Sequence, residues 1–425
     1  MPEVGDSPKP DNNSAQNNPL DKQLSRRAFL KKAAATTAKI GGAFAVAGGA
    51  GVGFGEVWNR LPDASNQSVQ PVQPEQDIPT PDIENPITGE PIVLGEEIDA
   101  SLERFYMEYT PDLHLSYITI PQENLRRFFL TGNGGITYML EGKSTDDLLT
   151  AIENSSEGYL PEVWGPDKFI DNKYGYSAIG SVLQTNNNDP YHLVAFTHNE
   201  EHAGSDSAGT FAASISQLES FDGGKNWHQV SNEPVIKGDD PMPPGTDVSG
   251  AGQPCTIIKD GFAYVYYIDW SRKNNLHKDQ IYLARGPVEA NGSIGKLEFY
   301  QGNNTFGKVE SNLSPVITPP DSQSQYAALP SMSFNSALNK YLCVFETDIG
   351  FQFSTSSDGI AWDNGRLIHQ FGTPHSQLGA GGRFESYPTL VSFKETTDDK
   401  TGITGDLIYA SGTPHNMKMR PFSIK

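Results

Sequence analysis

From about residue 104 onward, apolar and polar positions alternate in short runs of β-type residues separated by Gly, Asn, Asp and Pro. A period of two bounded by turn formers predicts strands joined by tight turns. One segment, Ser144–Asn154, reads instead as a helix with Thr145 placed to cap it. Four stretches share an arrangement in which a short apolar strand, a turn and a second, aromatic-rich strand follow one another. These are Ala178–Leu183 with Tyr191–Phe196, Gln253–Ile258 with Phe262–Tyr267, Leu329–Phe334 with Tyr341–Phe345, and Tyr387–Phe393 with Leu407–Ala410.

Aligned on Gly180, Pro254, Pro330 and Pro388, the copies stand 74, 76 and 58 residues apart. That is too long for one hairpin and suits a four-stranded blade with its loops. Leu113–Ile120, Phe128–Thr131 and Ile136–Leu140 supply strands for one further blade, and Met417–Ile424 would pair with N-terminal sequence to close the ring. The predicted fold is all-β, a five-bladed β-propeller. Two turns repeat as well. Ser220, Asp222, Gly224 and Trp227 fit an Asp-box spacing, and Ser356, Asp358, Gly359 and Trp362 give a version shorter by one residue. In such a hairpin the Asp accepts backbone N–H bonds, the Gly supplies a positive φ and the Trp packs between blades, so these residues are expected to be structural.

The N-terminal part differs. Arg26-Arg27 is followed by Phe29, Leu30 and Lys31, and Ile40–Gly55 is uncharged with seven glycines, the layout of a twin-arginine export signal. The stretch is glycine-rich for a membrane span, and its Ala-x-Ala sites lie inside it, so cleaved and membrane-tethered forms both stay open. Leu61–Glu96 interleaves seven prolines with acidic residues and lacks Lys and Arg, an extended spacer. The expected division is a signal or anchor region over 1–60, a linker over 61–96 and the propeller over 97–425. The protein is expected to be exported by the twin-arginine machinery to the periplasm, the outside or the outer face of the membrane.

Charge narrows the partners. The chain holds 31 Lys and Arg against 52 Asp and Glu, a net charge of −21 that repels phosphate backbones and argues against nucleic acid. Cys255 and Cys343 are too few for a disulfide framework and read as small buried residues.

The Gln253-Pro254 strand and its aromatic partner with Gly261, Tyr264, Tyr266 and Tyr267 resemble the arabinanase, xylosidase and invertase group of five-bladed glycosidases. The Asp-box turns are similar to those of sialidases. The chain departs from the first group in lacking Asp-Pro at the first inner strand and Glu-x-Pro at a later one. The resemblance implies an oligo- or polysaccharide substrate and a glycoside hydrolase, which needs a carboxylic acid to protonate the departing oxygen and a carboxylate to activate water or attack the sugar. The alternative is a non-catalytic propeller that binds glycan or protein at the cell envelope.

Propeller topology brings the start of each inner strand and the end of the second strand to one rim of a central funnel. The residues chosen there as catalytic are Asp269, Glu201, Glu385 and His198, with Asp269 beside Trp270, Glu385 beside Arg383, and Glu201 as the acid. Tyr176, Asp247, Trp270, Tyr326, Arg383 and His415 are chosen for substrate binding. His198 and His202 are four apart but follow a strand, which is not the helical spacing of a zinc protease. No cofactor is expected. A Ca²⁺ held by funnel carboxylates is conceivable, but no spacing identifies its ligands.

Overall fold

The structure, a computed structural model, describes residues 92–99, 111–132, 134–144, 147, 150, 160–169, 173–186, 188–202, 211–238, 248–270, 280–320, 326–375, 385–392, 397, 399–411 and 416–424. The expected export signal, most of the linker and most of the Ser144–Asn154 helix lie outside them. At the start of that segment Ser144 Oγ accepts the Asp147 N–H at 3.1 Å, and the expected cap Thr145 lies outside the described residues.

The strands form five antiparallel blades. Blade 1 consists of Ser116–Ile120, Leu125–Gly132, Ile136–Gly142 and Glu162–Trp164. Blade 2 runs through Tyr176–Leu183, Leu193–His202, Phe211–Ser220 and His228–Gln229. Blade 3 is built from Val248–Lys259, Phe262–Asp269, Ile281–Pro287 and Glu298–Tyr300, with Phe306–Gly307 at its edge. Blade 4 comprises Ala328–Asn335, Lys340–Thr347, Gly350–Ser356 and Arg366–Gln370. Blade 5 takes Glu385–Val391, Thr404–Ser411 and Asn416–Ile424 from the C-terminus. Its fourth strand is N-terminal: Ile92–Leu94 pairs antiparallel with Phe422–Ile424, and Ile98–Asp99 pairs with Lys418 and Met419. The ring therefore closes as expected, but Ile92–Leu94 belongs to the propeller, so the fold begins before the expected boundary at residue 97.

Inner strands are buried along both faces, as in Tyr176–Leu183 and Glu385–Val391, because each blade packs on two neighbours. Apolar clusters fill the spaces between blades; Leu115, Tyr117 and Phe128 of blade 1, for example, meet Val391, Ile408 and Met419 of blade 5.

Near the axis a ring of hydrogen bonds joins every blade to the next. Ser116 Oγ accepts the Val182 N–H at 3.0 Å, Ser181 Oγ the Thr256 N–H at 3.1 Å, and Cys255 Sγ the Met332 N–H at 3.1 Å. Ser331 Oγ accepts the Leu390 N–H at 3.2 Å, and Thr389 Oγ1 the Leu115 N–H at 3.1 Å, which completes the circle. Four of these amides, those of Val182, Thr256, Met332 and Leu390, lie two residues beyond a bulge of the inner strand, and that of Leu115 lies just ahead of the first strand of blade 1. The bulges fall at Gly180, Gln253-Pro254, Leu329-Pro330 and Tyr387-Pro388, the positions of the sequence repeat. Gln253, Leu329 and Tyr387 adopt left-handed φ values of 56°, 51° and 60°. Proline suits the next position because it has no N–H to lose from the broken ladder.

The turns over 220–227 and 356–362 sit at the rim opposite the funnel, as the register of Leu193 with Ser220 requires for the first of them. Asp222 Oδ1 accepts the N–H groups of Lys225 and Asn226 at 3.0 and 2.9 Å, and Ser220 Oγ accepts that of Gly224 at 2.9 Å. Asp358 Oδ1 accepts those of Ile360 and Ala361, each at 2.8 Å. Trp227 lies edge-on to Phe129 of blade 1, and Trp362 edge-on to Tyr266 of blade 3. Both turns thus have the bonding and the interblade packing expected of them.

Candidate active site

At the funnel end every blade contributes at least one buried carboxylate: Asp112 ahead of the first strand of blade 1, Glu200 and Asp269 late in the second strands of blades 2 and 3, Glu346 and Asp348 around the end of the second strand of blade 4, and Glu385 at the start of blade 5. The second strand of a blade runs toward the rim where the first strand begins, so these positions converge by topology.

Asp112 accepts a hydrogen bond from the Tyr176 hydroxyl at 3.1 Å. Burial pushes its carboxyl well above the usual carboxylate range, and the Glu200 charge adds to that, against hydrogen bonds from Tyr387 and Tyr176. Glu200 lies between two imidazoles, with His198 Nε2 3.2 Å from Oε1 and His202 Nε2 3.0 Å from Oε2. Burial would raise Glu200 too, but the hydrogen bonds and charge of the two histidines outweigh it, and its carboxyl lies below the usual range. Tyr387 stands among Asp112, Glu346 and Glu200; burial and then these negative charges hold its phenol, like that of Tyr176, well above its usual value, so both remain proton donors.

A second network holds Glu346 and Glu385. Glu346 Oε1 accepts the Tyr326 hydroxyl at 2.9 Å and lies 3.2 Å from His375 Nδ1, while Oε2 accepts Ser386 Oγ at 2.5 Å. Glu385 Oε2 is 3.1 Å from His369 Nε2. Arg420, which can only donate, stands 2.9 Å from His369 Nδ1, so that nitrogen accepts and Nε2 carries the proton donated to Glu385.

Of the residues expected at the site, Tyr176, His198, Asp269, Trp270, Tyr326 and Glu385 are all buried at the funnel end. Glu201 is not: its side chain is exposed, because strand alternation turns it away from the face shared by His198, Glu200 and His202. Tyr176 and Tyr326 bind carboxylates with their hydroxyls rather than offering open faces. Trp270 packs on His198 and Phe211, at ring distances of 5.9 and 6.2 Å. The partner of Glu385 is His369 in the described structure, whereas Arg383, Asp247 and His415 lie outside the described residues. Sequence reasoning passed over Asp112, Tyr387, His369 and His375. The signal for Asp112 was an acid just ahead of the first apolar strand, the place where copies elsewhere carry Tyr176 and Glu385. Among the described residues no group of three or more His, Cys, Asp or Glu is placed to hold a metal ion, and no helix is long and apolar enough to cross a membrane.

The fold and site define the chain as a five-bladed β-propeller with a carboxylate-lined funnel. By sequence it matches no family model and no curated protein. Solved structures similar to it include the catalytic domain of a GH62 α-L-arabinofuranosidase from Coprinopsis cinerea, at 10% identity and TM-score 0.43 over 78% of this chain and 96% of that one. An α-L-arabinanase from Penicillium chrysogenum with arabinobiose is similar at 11% identity and TM-score 0.41, over 78% and 98%. A GH93 α-L-arabinofuranosidase from Fusarium graminearum, also with arabinobiose, is similar at 12% identity and TM-score 0.42, over 78% and 98%.

Proposed function

We propose that the protein is a glycoside hydrolase in which Asp112 is the proton donor and Glu200 the ionised partner. What supports this is the opposed surroundings of two buried carboxyl groups: Asp112 meets the Tyr176 hydroxyl at 3.1 Å and is pushed up by burial, whereas Glu200 lies 3.2 and 3.0 Å from two imidazoles and is held down by them. Environments that drive a carboxyl pair apart create an acid and a base at one pH. Asp112 would pass its proton to the departing glycosidic oxygen. Glu200 would take a proton from the attacking water, or attack the anomeric carbon and be released by water in a second step, so that one water is consumed per bond cleaved. Glu346, Glu385 and Asp269 would bind sugar hydroxyls, with Trp270 backing His198.

The test is hydrolysis of a panel of aryl glycosides and polysaccharides, α-L-arabinofuranosides among them. With an active substrate, Asp112→Asn and Glu200→Gln should each lower kcat by roughly 10²-fold or more. Near-wild-type rates in both would remove the assignment, and tight glycan binding without turnover would favour the binding-protein alternative. Export by the twin-arginine route belongs to the same proposal and is supported by Arg26-Arg27 and the uncharged stretch after it. Replacing both arginines by lysine should retain the protein in the cytoplasm; continued export would refute that route.

A further inference from the structure

His198, Glu200 and His202 alternate along one strand, so their side chains share one face, and the two imidazoles approach the two oxygens of a single carboxylate at 3.2 and 3.0 Å. Space for each imidazole comes from a glycine. A Cβ at Gly252 of blade 3 would stand 2.4 Å from His198 Nδ1, and one at Gly175 would stand 2.5 Å from His202 Cδ2. Neither glycine has a left-handed φ, so backbone conformation does not call for glycine at either place; the neighbouring ring does. We propose that Gly252 and Gly175 are the seats of a two-imidazole clamp, and that His198 and His202 are positioning residues that hold Glu200 beside Asp112. The catalytic meaning of the clamp rests on the hydrolase reading; its existence does not.

Among the described residues, the groups that face Glu200 are few. His198 and His202 come from its own strand, Tyr176 lies opposite it in the first strand of blade 2, and Asp112 of blade 1 and Tyr387 of blade 5 interact with its charge. Phe211 packs on both imidazoles and Trp270 on His198, and neither ionises. The histidines are therefore what offsets burial at Glu200, and loss of either should make its carboxyl easier to protonate.

The experiment is a pH titration of the substrate-free full chain by infrared difference spectroscopy, with the Glu200 carboxyl band assigned from its loss in Glu200→Gln. In His202→Leu and Gly252→Ala, Glu200 should protonate about one pH unit or more higher than in the wild type. His202→Gln, which keeps a donor, should stay close to the wild type. Where a substrate is cleaved, the acidic limb of the pH–rate profile should move with the band. An unchanged band in folded His202→Leu would overturn the clamp; because His202 is partly exposed, that variant decides the matter if Gly252→Ala does not fold. A shifted band in a protein that cleaves no glycoside would support the clamp and count against the hydrolase reading alone.

Discussion

Glu200 and Glu201 are adjacent in sequence and opposite in environment, one fully buried between histidines and the other in solvent. A period of two shows that consecutive residues face opposite sides, but which side meets the funnel depends on the register set by the bulge at Gly180, which composition does not reveal. Glu201→Gln is therefore expected to retain a rate within about twofold of wild type where Glu200→Gln loses roughly 10²-fold; steady-state kinetics on one substrate compares them directly. Asp112 makes a different prediction. Its folded-state carboxyl lies above the unfolded value, so its contribution favours the folded state at low pH and is lost as pH rises toward the folded pKa. Asp112→Asn should accordingly raise Tm at neutral pH, by roughly 2 °C or more, while lowering kcat by roughly 10²-fold or more, and should narrow its advantage as the pH falls toward about 4. A variant less stable than wild type at every pH would show that Asp112 serves packing instead.

The repeating element is the inner strand with its bulge, and its spacing made the blades legible from the x-Pro pairs alone. What those pairs accomplish was not legible, because the acceptors of the ring lie on neighbouring blades, from 59 to 274 residues away along the chain. Thr389→Val keeps shape but leaves the Leu115 N–H buried without its acceptor, and should cost about 1–3 kcal/mol in chemical denaturation. Cys255→Ser, which retains an acceptor for Met332, should cost less than Cys255→Ala; equal costs would mean that the sulfur bond contributes nothing. The hydrogen bonds of the turns over 220–227 and 356–362 were more legible, since they are local. Burial would raise Asp222, but hydrogen bonds from the Asn226 side chain and backbone, Ser220 and Lys225 hold its carboxyl below the usual range. Its stabilisation is therefore present above the unfolded pKa and is lost as pH falls through the folded one. Asp222→Ala should lose about 1–2 kcal/mol at pH 7 and progressively less below about pH 4, with turnover per folded molecule unchanged.

At the scale of the whole molecule, the propeller could be read from sequence because it is a repeat, whereas the site could be read only in part: the strand ends that carry Tyr176, His198, Asp269 and Glu385 follow from the repeat, but Asp112, His369 and His375 stand outside it. Closure shows the same limit: Met417–Ile424 was recognisable as a strand, but its partner Ile92–Leu94 follows directly on a proline-rich acidic stretch that hides a three-residue strand. Arg420 ties this closing segment down through two bonds to the Gly95 carbonyl at 3.0 and 2.8 Å and reaches His369 from the same guanidinium. A chain beginning at Ile98 should therefore melt several degrees below one beginning at residue 85, and equal melting would show that closure does not need the N-terminal strand. If two carboxylates with opposed proton affinities cleave glycosidic bonds in the funnel, the pH–rate profile of kcat/KM on an active glycoside, taken for wild type, Asp112→Asn and Glu200→Gln, separates their roles. A bell in the wild type, whose alkaline limb is lost in the residual activity of Asp112→Asn and whose acidic limb is lost in that of Glu200→Gln, is the predicted result. Retention of both limbs at near-wild-type rates in both variants would contradict it.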